Sequence, residues 1–297
     1  MTAAGSRRGA LLGAMPWVFV VIWSTGFIVA RYGMPHAPPL KFLAIRYALS
    51  IACFGVWIAL SRPAWPRDRM QWAHLAVVGM LLHGGYLGGV WAAVKQGASA
   101  GTVALVVGLQ PVLTALWVSR GGAGRGGSSH VSATQWVGLL LGFAGLLLVV
   151  WRKLGAGEIG ATNLALSIFA LLSITAGTLY QKAHVAPCDV RSANAVQMLA
   201  AFAVTLPLAA FESEAVRWHP ELIGALAWSV LALTLGGSSL LYLLIQRGAA
   251  TRVTSLLYLV PPCTAAMGWL LFGELLTPLV LAGMALTAIG VWLAIRN

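Results

Sequence analysis

The sequence predicts an all-α integral membrane protein made of two copies of one five-helix unit, and three observations support this prediction. Of the 297 residues, 59% are hydrophobic and only 9% are charged, whereas soluble chains carry about 25% charged residues. The apolar residues fall into ten runs, and each is close to the roughly 20 residues that a helix needs to cross a bilayer. The segment of residues 95–118 also recurs 151 positions later, at residues 246–269.

The apolar runs are expected to be helices because backbone groups in lipid must find their hydrogen-bond partners within the same segment. They are also too long to be strands of a membrane barrel. The runs lie near residues 10–31, 40–60, 72–94, 99–119, 133–151, 162–182, 191–211, 221–245, 252–272 and 277–295. Turn-forming residues mark the short connections, at Pro38-Pro39, Arg62-Pro63, Pro187-Cys188-Asp189 and His219-Pro220.

The repeated segment is a short polar turn followed by an apolar helix with a proline near its middle. The residues that recur at the same spacing are Gly97, Ala98, Leu105, Pro111 and Ala115, which return as Gly248, Ala249, Leu256, Pro262 and Ala266. The fifth and tenth runs align at a shift of 145 instead, which pairs Gly138 with Gly283 and Gly145 with Gly290. These glycines are typical of closely packed membrane helices. We therefore expect two units, at residues 1–155 and 156–297.

An odd number of helices in each unit has a mechanical consequence. The second unit must enter the membrane the opposite way up, which produces an inverted repeat about an axis in the membrane plane. Such symmetry provides two exchangeable conformations, one open to each side of the membrane. This architecture of alternating access is the main argument from the residues for a transport function.

The positive charge is explained by membrane topology. The formal net charge is +12, but the basic residues are scattered through short loops and form no patch suited to nucleic acid. Counted over alternate loops, twelve basic residues lie on one side and six on the other. The positive-inside bias then predicts that both termini lie in the cytoplasm. The expected surroundings are a lipid bilayer, and we expect no nucleic-acid partner.

Neither a metal nor a phosphate site is indicated. Cys53, Cys188 and Cys263 share no metal-ligand spacing. The loop of residues 121–130 contains GxxxxG, but a phosphate-binding loop needs Lys and then Ser or Thr after the last glycine. Here Ser128 follows Gly127, and we interpret the loop as a flexible linker. We predict no cofactor.

Three prolines inside the apolar runs are candidate kinks or hinges. Because proline lacks an N–H, Pro111 frees the carbonyl of residue 107, while Pro261 and Pro262 free those of residues 257 and 258. Exposed carbonyls at matching depth in both units suit an ammonium group or another polar ligand. A simple packing kink is the alternative, and both functions are compatible.

Polar residues within the runs are candidates for lining a substrate pathway. His83 and Tyr86 are three residues apart, on one helix face among four glycines, and a histidine inside a membrane segment usually faces the interior of the bundle. A buried histidine bonded to a backbone carbonyl is the alternative. Gln110, directly before Pro111, needs a partner at the middle of the membrane. The eighth run carries polar residues at equivalent positions, namely Thr234, Ser238, Ser239 and Tyr242.

Other cavity candidates are weaker individually, because hydroxyl groups bond within their own helix at little cost and tryptophan often anchors a helix at the interface. They are Trp17, Thr25, Thr175, Tyr180, Ser239, Tyr242 and Tyr258.

Three charged residues are candidates for gating or for a structural role. Arg46 lies about seven residues into the second run, where it can gate one end, bind a substrate carboxylate or reach the interface along its own stem. Lys95 opens the repeated segment, and Glu274 follows the ninth run, where we expect it to cap or pair with another element. No Asp or Glu lies at the middle of a run, so a proton route would have to use His83.

Four segments carry a family resemblance. WSTGFIVARYGMP, LKFLAIRYAL, LVVGLQPVLTAL and LVPPCTAAMGWLLFGELLT are similar to the EamA-type unit of the drug/metabolite transporter superfamily. The resemblance covers nearly the whole chain as two units. It implies a ten-helix transporter of the bacterial cytoplasmic membrane with both termini inside, in a branch that exports aromatic and neutral amino acids. The partners it implies are a small-molecule substrate and the bilayer, with no obligate protein partner.

Alternatives remain open at this point. An exporter of other metabolites or of cationic drugs would share the same motifs. A membrane-embedded enzyme acting on lipids or isoprenoid carriers would need clustered acids or histidines, and the seven carboxylates form no HxxxH or DxxxD pattern. A channel is the third class. We expect a transporter and not an enzyme.

Overall fold

The computed structural model describes residues 3–117, 133–155, 159–240 and 259–295. Every regular element in these ranges is a helix, so the all-α prediction is confirmed for this part of the chain. The helices of the first half are α1 (Ala3–Gly33), α2 (Pro39–Ser61), α3 (Arg69–Gly79), π1 (Met80–Gly85), α4 (Tyr86–Lys95), α5 (Ala100–Val107), α6 (Gln110–Trp117) and α7 (Ala133–Gly155). Those of the second half are α8 (Ala161–His184), α9 (Val190–Ala209), α10 (Pro220–Trp228), π2 (Ser229–Ser238), α11 (Val260–Phe272) and α12 (Pro278–Ile295).

The chain is a membrane protein by the length and composition of these helices. Five helical stretches are long and apolar enough to cross a bilayer, at Pro39–Ser61, Arg69–Lys95, Ala161–His184, Val190–Ala209 and Pro220–Ser238. Shorter apolar helices accompany them, at Trp17–Gly33, Ala100–Thr114, Trp136–Val149, Val260–Phe272 and Pro278–Gly290. Large side chains such as Leu140 and Leu231 are more than half exposed. Such a surface is stable against hydrocarbon but not against water.

Local signals set the helix ends. Pro39 opens α2, where its missing N–H is not needed. The side chains of Asp68 and Ser99 cap α3 and α5 by accepting from the N–H groups of Met70 and Thr102. Gly273 ends α11 with φ +65°, a left-handed conformation that glycine adopts without strain.

The predicted helix of residues 99–119 is interrupted. Its two parts, α5 and α6, are separated by a turn at Gly108 and Leu109, in which the Val112 N–H donates to the Leu109 carbonyl at 3.0 Å. The interruption lies just before Pro111, which cannot donate a backbone hydrogen bond.

The prolines of the second unit occupy a different position. Pro261 and Pro262 lie in the first turn of α11, where a missing N–H leaves no helical bond unmade. The kink or hinge role of Pro261 and Pro262 stays a prediction. The carbonyls of residues 257 and 258 lie outside the described residues, as does the start of the run predicted at 252–272.

Helices α5 and α11 cross at small residues. A Cβ atom at Gly108 would lie 2.8 Å from Cγ of Pro261, and one at Gly101 would lie 3.4 Å from Cα of Ala265. The interruption in α5–α6 and the proline start of α11 are thus in contact across the two halves of the chain.

The π-helical segments were not expected from the sequence. π1 spans Met80–Gly85 and π2 spans Ser229–Ser238. The shift of 151 residues that aligns the two halves places residues 80–85 on 231–236, within π2. Single π-helical turns inside α-helices are rare and occur frequently at functional sites.

The connections converge at two ends of the bundle. At one end, which we call the acidic end, residues 34–41, 95–100, 160–163, 212–221 and 274 contact one another. At the other, the basic end, residues 64–74 contact residues 180–192. The connections before and after α2 therefore lie at opposite ends, as do those before and after α9.

The largest buried cluster contains residues of both halves of the chain. Its fully buried aromatic members include Phe19, Phe42, Tyr47 and Trp91. The main helix contacts are α2 with α9, α7 with α12, α4 with α8, α5 with α11, and α1 with α10, π2 and α11.

Contact between α7 and α12 depends on glycine. A Cβ atom at Gly290 would lie 2.2 Å from the Gly142 nitrogen and 2.5 Å from the Gly138 carbonyl oxygen. One at Gly145 would lie 2.5 Å from the Gly283 carbonyl oxygen. The backbones of the two helices touch at these positions, which is possible only without side chains.

We expect Gly290→Ala to lower the free energy of unfolding by about 1–3 kcal/mol, because the added methyl group forces the two backbones apart. The control is Gly224→Ala in α10, where nothing lies within 4 Å of the added atom and the change stabilises a helix by up to about 1 kcal/mol. Thermal unfolding of the detergent-solubilised protein measures both. Equal effects of the two substitutions would contradict the predicted contact.

Candidate functional site

Arg46 is buried in the interior of the bundle. Its side chain is on α2 and 4% exposed, and its Nε and Nη2 atoms donate to the Thr234 hydroxyl at 3.2 and 3.1 Å. The guanidinium also lies 5.5 Å from the centre of the Trp91 ring, within the range of a cation–π contact. The side chain is thus directed inward instead of running along its own stem to the interface.

Thr234 can accept these bonds because its own hydrogen has another acceptor. Its hydroxyl donates to the Ser229 carbonyl, five residues earlier, at 2.9 Å. This spacing is that of a π-helical turn. The widened turn of π2 therefore orients the hydroxyl oxygen toward Arg46.

Several buried hydrogen-bonding atoms, one of them on Arg46, lack a partner among the described residues. They are the Nη1 atom of Arg46, the Nε1 atom of Trp91 and the hydroxyls of Ser50 and Ser229, all fully shielded from solvent; the Ser239 hydroxyl shares this property. Ser50 is one turn from Arg46 on the same helix. Leaving a buried polar group unbonded costs about 1–3 kcal/mol, and more when it is charged.

No carboxylate in the described part of the chain pairs with Arg46. The ion pairs found there involve Asp189, Glu214 and Glu221, which lie at the two ends of the bundle. A buried charge is ordinarily paired. Arg46 is held instead by one hydroxyl and one aromatic ring.

A second polar contact joins the halves at an equivalent position. His83 on π1 is 8% exposed and lies beside Gln197 on α9. In the same π-helical segment, the Leu81 carbonyl accepts from the Ser173 hydroxyl of the second half at 2.9 Å. The carbonyl of His83 accepts from the Tyr47 hydroxyl at 2.6 Å. The shift of 151 residues relates Arg46 to Gln197 and His83 to Thr234. Each half therefore contributes one π-helical residue that bonds the opposite half.

Charged groups close the acidic end. The Glu212 carboxylate accepts from the N–H groups of Leu40 and Lys41 at 3.0 and 2.8 Å, at the start of α2. The Lys95 ammonium donates to the Met34 carbonyl at 3.0 Å and to Glu214 at 2.8 Å. We call Lys41, Lys95, Glu212 and Glu214 the acidic-end network.

This network lowers the pKa of one of its members. The hydrogen bond from Lys95 holds the pKa of Glu214 below its ordinary value, and the nearby charges of Lys95, Arg217 and Lys41 act in the same direction. The carboxylate therefore keeps its charge to lower pH than a free glutamate does.

Further contacts join the same loops. The Arg217 N–H donates to the His36 carbonyl at 2.8 Å, and the Arg217 side chain donates to the Pro35 carbonyl. The His36 ring bonds Glu221 at 2.9 Å and stacks on His219 with 4.4 Å between ring centres.

Glu274 links the end of α11 to the start of α5. Its carboxylate accepts from the Ala100 N–H at 3.1 Å and so binds the start of α5 from the end of α11. A negative charge is favourable at a helix N-terminus. The small cleft beside Glu274, lined also by Ser99 and Thr102, shares no residue with the polar cluster around Arg46.

The basic end is joined mainly by neutral groups. Gln71 bonds the backbone of Ala186 through both ends of its amide, at 2.7 and 3.1 Å. The His74 ring bonds the Tyr180 hydroxyl at 2.8 Å. This end also ties the first half to the second.

Comparison with known proteins identifies the family. The model of the EamA-like transporter family matches residues 9–151 and again residues 162–296. The chain belongs to the EamA-like transporter family. It is therefore a membrane transporter and not an enzyme, and the lipid-processing alternative is wrong.

Relatives of this EamA-like transporter match it over almost the whole chain. A probable amino-acid metabolite efflux pump of Salmonella typhimurium is 24% identical over 95% of this chain and 93% of its own. The uncharacterized transporter YvbV of Bacillus subtilis is 28% identical over 94% and 88%. The uncharacterized inner membrane transporter YedA of Escherichia coli K12 is 27% identical over 90% and 84%.

One solved crystal structure has the same fold. It superposes on the EamA-like transporter with a TM-score of 0.67 at 17% identity, and the match covers 94% of each chain.

The remaining candidate residues are distributed over several parts of the transporter. Tyr86 is 5% exposed and near Arg46. Gln110 donates to the Thr178 hydroxyl at 3.0 Å. Thr175 bonds the carbonyl of Leu171, one turn back in its own helix.

Two candidates near the first helix lie outside the buried cluster. The Thr25 hydroxyl donates to the Ile22 carbonyl and accepts from the Trp228 ring. Trp17 is 57% exposed. Tyr242 and Tyr258 lie outside the described residues, and the side chain of Pro111 is not among those described.

Sequence reasoning missed Tyr47, Trp91 and Gln197. An inward-facing tyrosine or tryptophan looks like ordinary core in a chain that is 59% hydrophobic. Gln197 was detectable, because the repeat shift aligns it with Arg46.

We expect Thr234→Val to lower the free energy of unfolding by about 2–3 kcal/mol, because it removes the acceptor of two Arg46 donors while keeping the side-chain shape. The matched control is Thr175→Val, whose lost bond lies within one helix and costs less than about 1 kcal/mol. Thermal unfolding in detergent compares the two. A Thr234→Val effect no larger than the control would contradict the assigned contact.

We expect the Glu214 contact to stabilise the protein at neutral pH. Because its folded-state pKa is lowered, this contribution is present above the ordinary pKa of glutamate and is lost as the pH falls through the lowered value. The unfolding temperature of Glu214→Gln should therefore depend less on pH across that interval. Gly224→Ala, which changes no ionisable group, should keep the wild-type profile. Identical profiles for Glu214→Gln and wild type would contradict the assignment.

Proposed function

We propose that this transporter exports small metabolites by alternating access between two inverted five-helix repeats, residues 1–155 and 156–297. Neutral and aromatic amino acids are the first proposed substrates. The observation that carries the proposal is the pair of equivalent contacts between the halves, Arg46 with Thr234 and Gln197 with His83. Two such contacts at related positions are what a duplicated, inverted unit produces.

The helix contacts support the same symmetry. The repeat relates α1 to α8, and relates the stretch α3–π1–α4 to α10 and π2. The contact of α1 with α10 and π2 therefore predicts a contact of α8 with α3, π1 and α4, and both contacts are present. The repeat also relates the contact of α1 with α11 to that of α8 with α5 and α6. The contacts of α2 with α9 and of α7 with α12 each map onto themselves. Two matches of the family model support the division of the chain.

The orientation follows from charge. The segments that form the basic end, and the residues next to them in the sequence, contain five basic residues: Arg62, Arg67, Arg69, Lys182 and Arg191. Because basic loops stay on the cytoplasmic side, we propose that the basic end and both termini face the cytoplasm of a bacterial cell. The acidic end then faces outward, and opening it requires the acidic-end network to break.

The proposed substrate class rests on the name of one relative and on the side chains buried in the interior of the bundle. The relative from Salmonella typhimurium carries the name of a probable amino-acid metabolite efflux pump. Buried hydroxyl, amide and imidazole groups among aromatic side chains suit a small amphipathic solute. Cationic drugs, the alternative substrates, would meet the buried positive charge of Arg46.

Proteoliposomes test transport directly. Vesicles containing the purified protein and loaded with labelled phenylalanine should release it faster than protein-free vesicles. Unlabelled phenylalanine outside should accelerate release, because an alternating carrier returns faster when loaded. Release that no amino acid accelerates would contradict alternating access and favour a channel.

A crosslink at the acidic end supplies the control. The backbones of His36 and Arg217 are hydrogen-bonded at 2.8 Å, so cysteines at both positions, with Cys53, Cys188 and Cys263 replaced, are expected to form a disulfide. Oxidation should abolish release, and reduction should restore it. The single-cysteine variants should be insensitive to oxidation. Undiminished release from the crosslinked protein would overturn the proposed outward opening.

A further inference from the structure

We infer that Arg46 binds a carboxylate group of the transported substrate, an inference that rests on the proposed function. The first step is the charge of the site. Arg46 carries a permanent positive charge, is 4% exposed and has no carboxylate partner among the described residues. The positive charge is therefore available to an anion from outside the chain.

The second step concerns buried atoms of Arg46, Trp91, Ser50 and Ser229 that have no hydrogen-bond partner among the described residues. Nη1 of Arg46 and Nε1 of Trp91 can only donate, and the hydroxyls of Ser50 and Ser229 can donate. A ligand that satisfies them must present acceptors. A carboxylate offers two oxygens with about four acceptor positions, whereas an ammonium group offers none.

The third step is geometry. Thr234 accepts from Nε and from Nη2, which leaves Nη1 and the second hydrogen of Nη2 at the far end of the guanidinium. Two parallel N–H groups match the two oxygens of a carboxylate. Thr234 and Trp91 then act as positioning residues. Thr234 binds the opposite edge of the guanidinium, and the Trp91 ring lies against its face.

The fourth step is location. Arg46 lies seven residues after Pro39, the first residue of α2, or about 10 Å below the acidic end at 1.5 Å per residue. The acidic-end network lies between Arg46 and the solvent at that end of the bundle. Breaking the network therefore exposes the anion to water on the side toward which export is proposed.

Matched ligands test the inference with the unaltered protein. Binding is measured by the rise in unfolding temperature of the detergent-solubilised protein with ligand concentration. The ligands are phenylalanine, phenylalaninamide, which lacks the carboxylate, and 3-phenylpropionate, which lacks the ammonium group. Small monocarboxylates with other side chains are measured beside their amides. We expect acids to bind at least about tenfold more tightly than their amides.

Substitutions assign the effect to Arg46. Arg46→Gln should weaken binding of the acids by about 10- to 100-fold and leave that of the amides unchanged. Arg46→Lys, which keeps the charge but loses the planar pair of donors, should fall between. The matched control is Arg69→Gln, at an exposed arginine, which should bind as wild type does. If Arg46→Gln does not fold, Arg46→Lys and the acid–amide comparison decide the question.

The outcomes separate this inference from the proposed function. Binding of other carboxylates, but of no amino acid, with dependence on Arg46 would refute the amino-acid proposal and support the inference. Amino-acid binding that is unchanged in the amide, or in Arg46→Gln, would overturn the inference and leave amino-acid transport intact. Absence of binding by every carboxylate would also overturn it.

Discussion

The bond between the Arg46 guanidinium and the Thr234 hydroxyl is the contact on which the interior of this transporter depends. A charge removed from water is stable only when nearby groups replace its hydration. Here the replacement is partial, since one hydroxyl and the face of Trp91 supply it in the described part of the chain. The contact therefore fixes α2 against π2 and also leaves a site with unmet hydrogen-bonding capacity.

The π-helical turns explain how such a contact is built. In π2, Thr234 donates to the carbonyl five residues earlier and presents its oxygen to the opposite half. In π1, the carbonyl of Leu81 accepts from the hydroxyl of Ser173 in the opposite half at 2.9 Å. A regular α-helix uses these groups in its own hydrogen-bond ladder. The loss of regular helix is thus coupled to the contacts between the halves.

The two halves are related in position but differ in charge. Arg46 corresponds to Gln197, and Thr234 corresponds to His83. At these positions the first half presents a cationic side chain, whereas the second half presents only neutral groups. At the acidic end, by contrast, both halves contribute charge. Exposed ion pairs there are individually weak, and several of them together join the loops at that end.

The amino-acid sequence by itself determined the solvent, the helical class and the family. Long apolar runs must form helices in lipid, because every backbone group must be hydrogen-bonded within its own segment. The repeat and the family motifs could be recognised from the sequence alone. Glycine contacts between α7 and α12 were also anticipated, because only small residues allow backbones to touch. Only the tertiary structure decided where Arg46 points and which residues meet it. Its partner Thr234 is 188 residues away, and the direction of a long side chain depends on groups from other helices. The π-helical turns were likewise decided by packing, because local sequence does not record which backbone bonds the opposite half will satisfy.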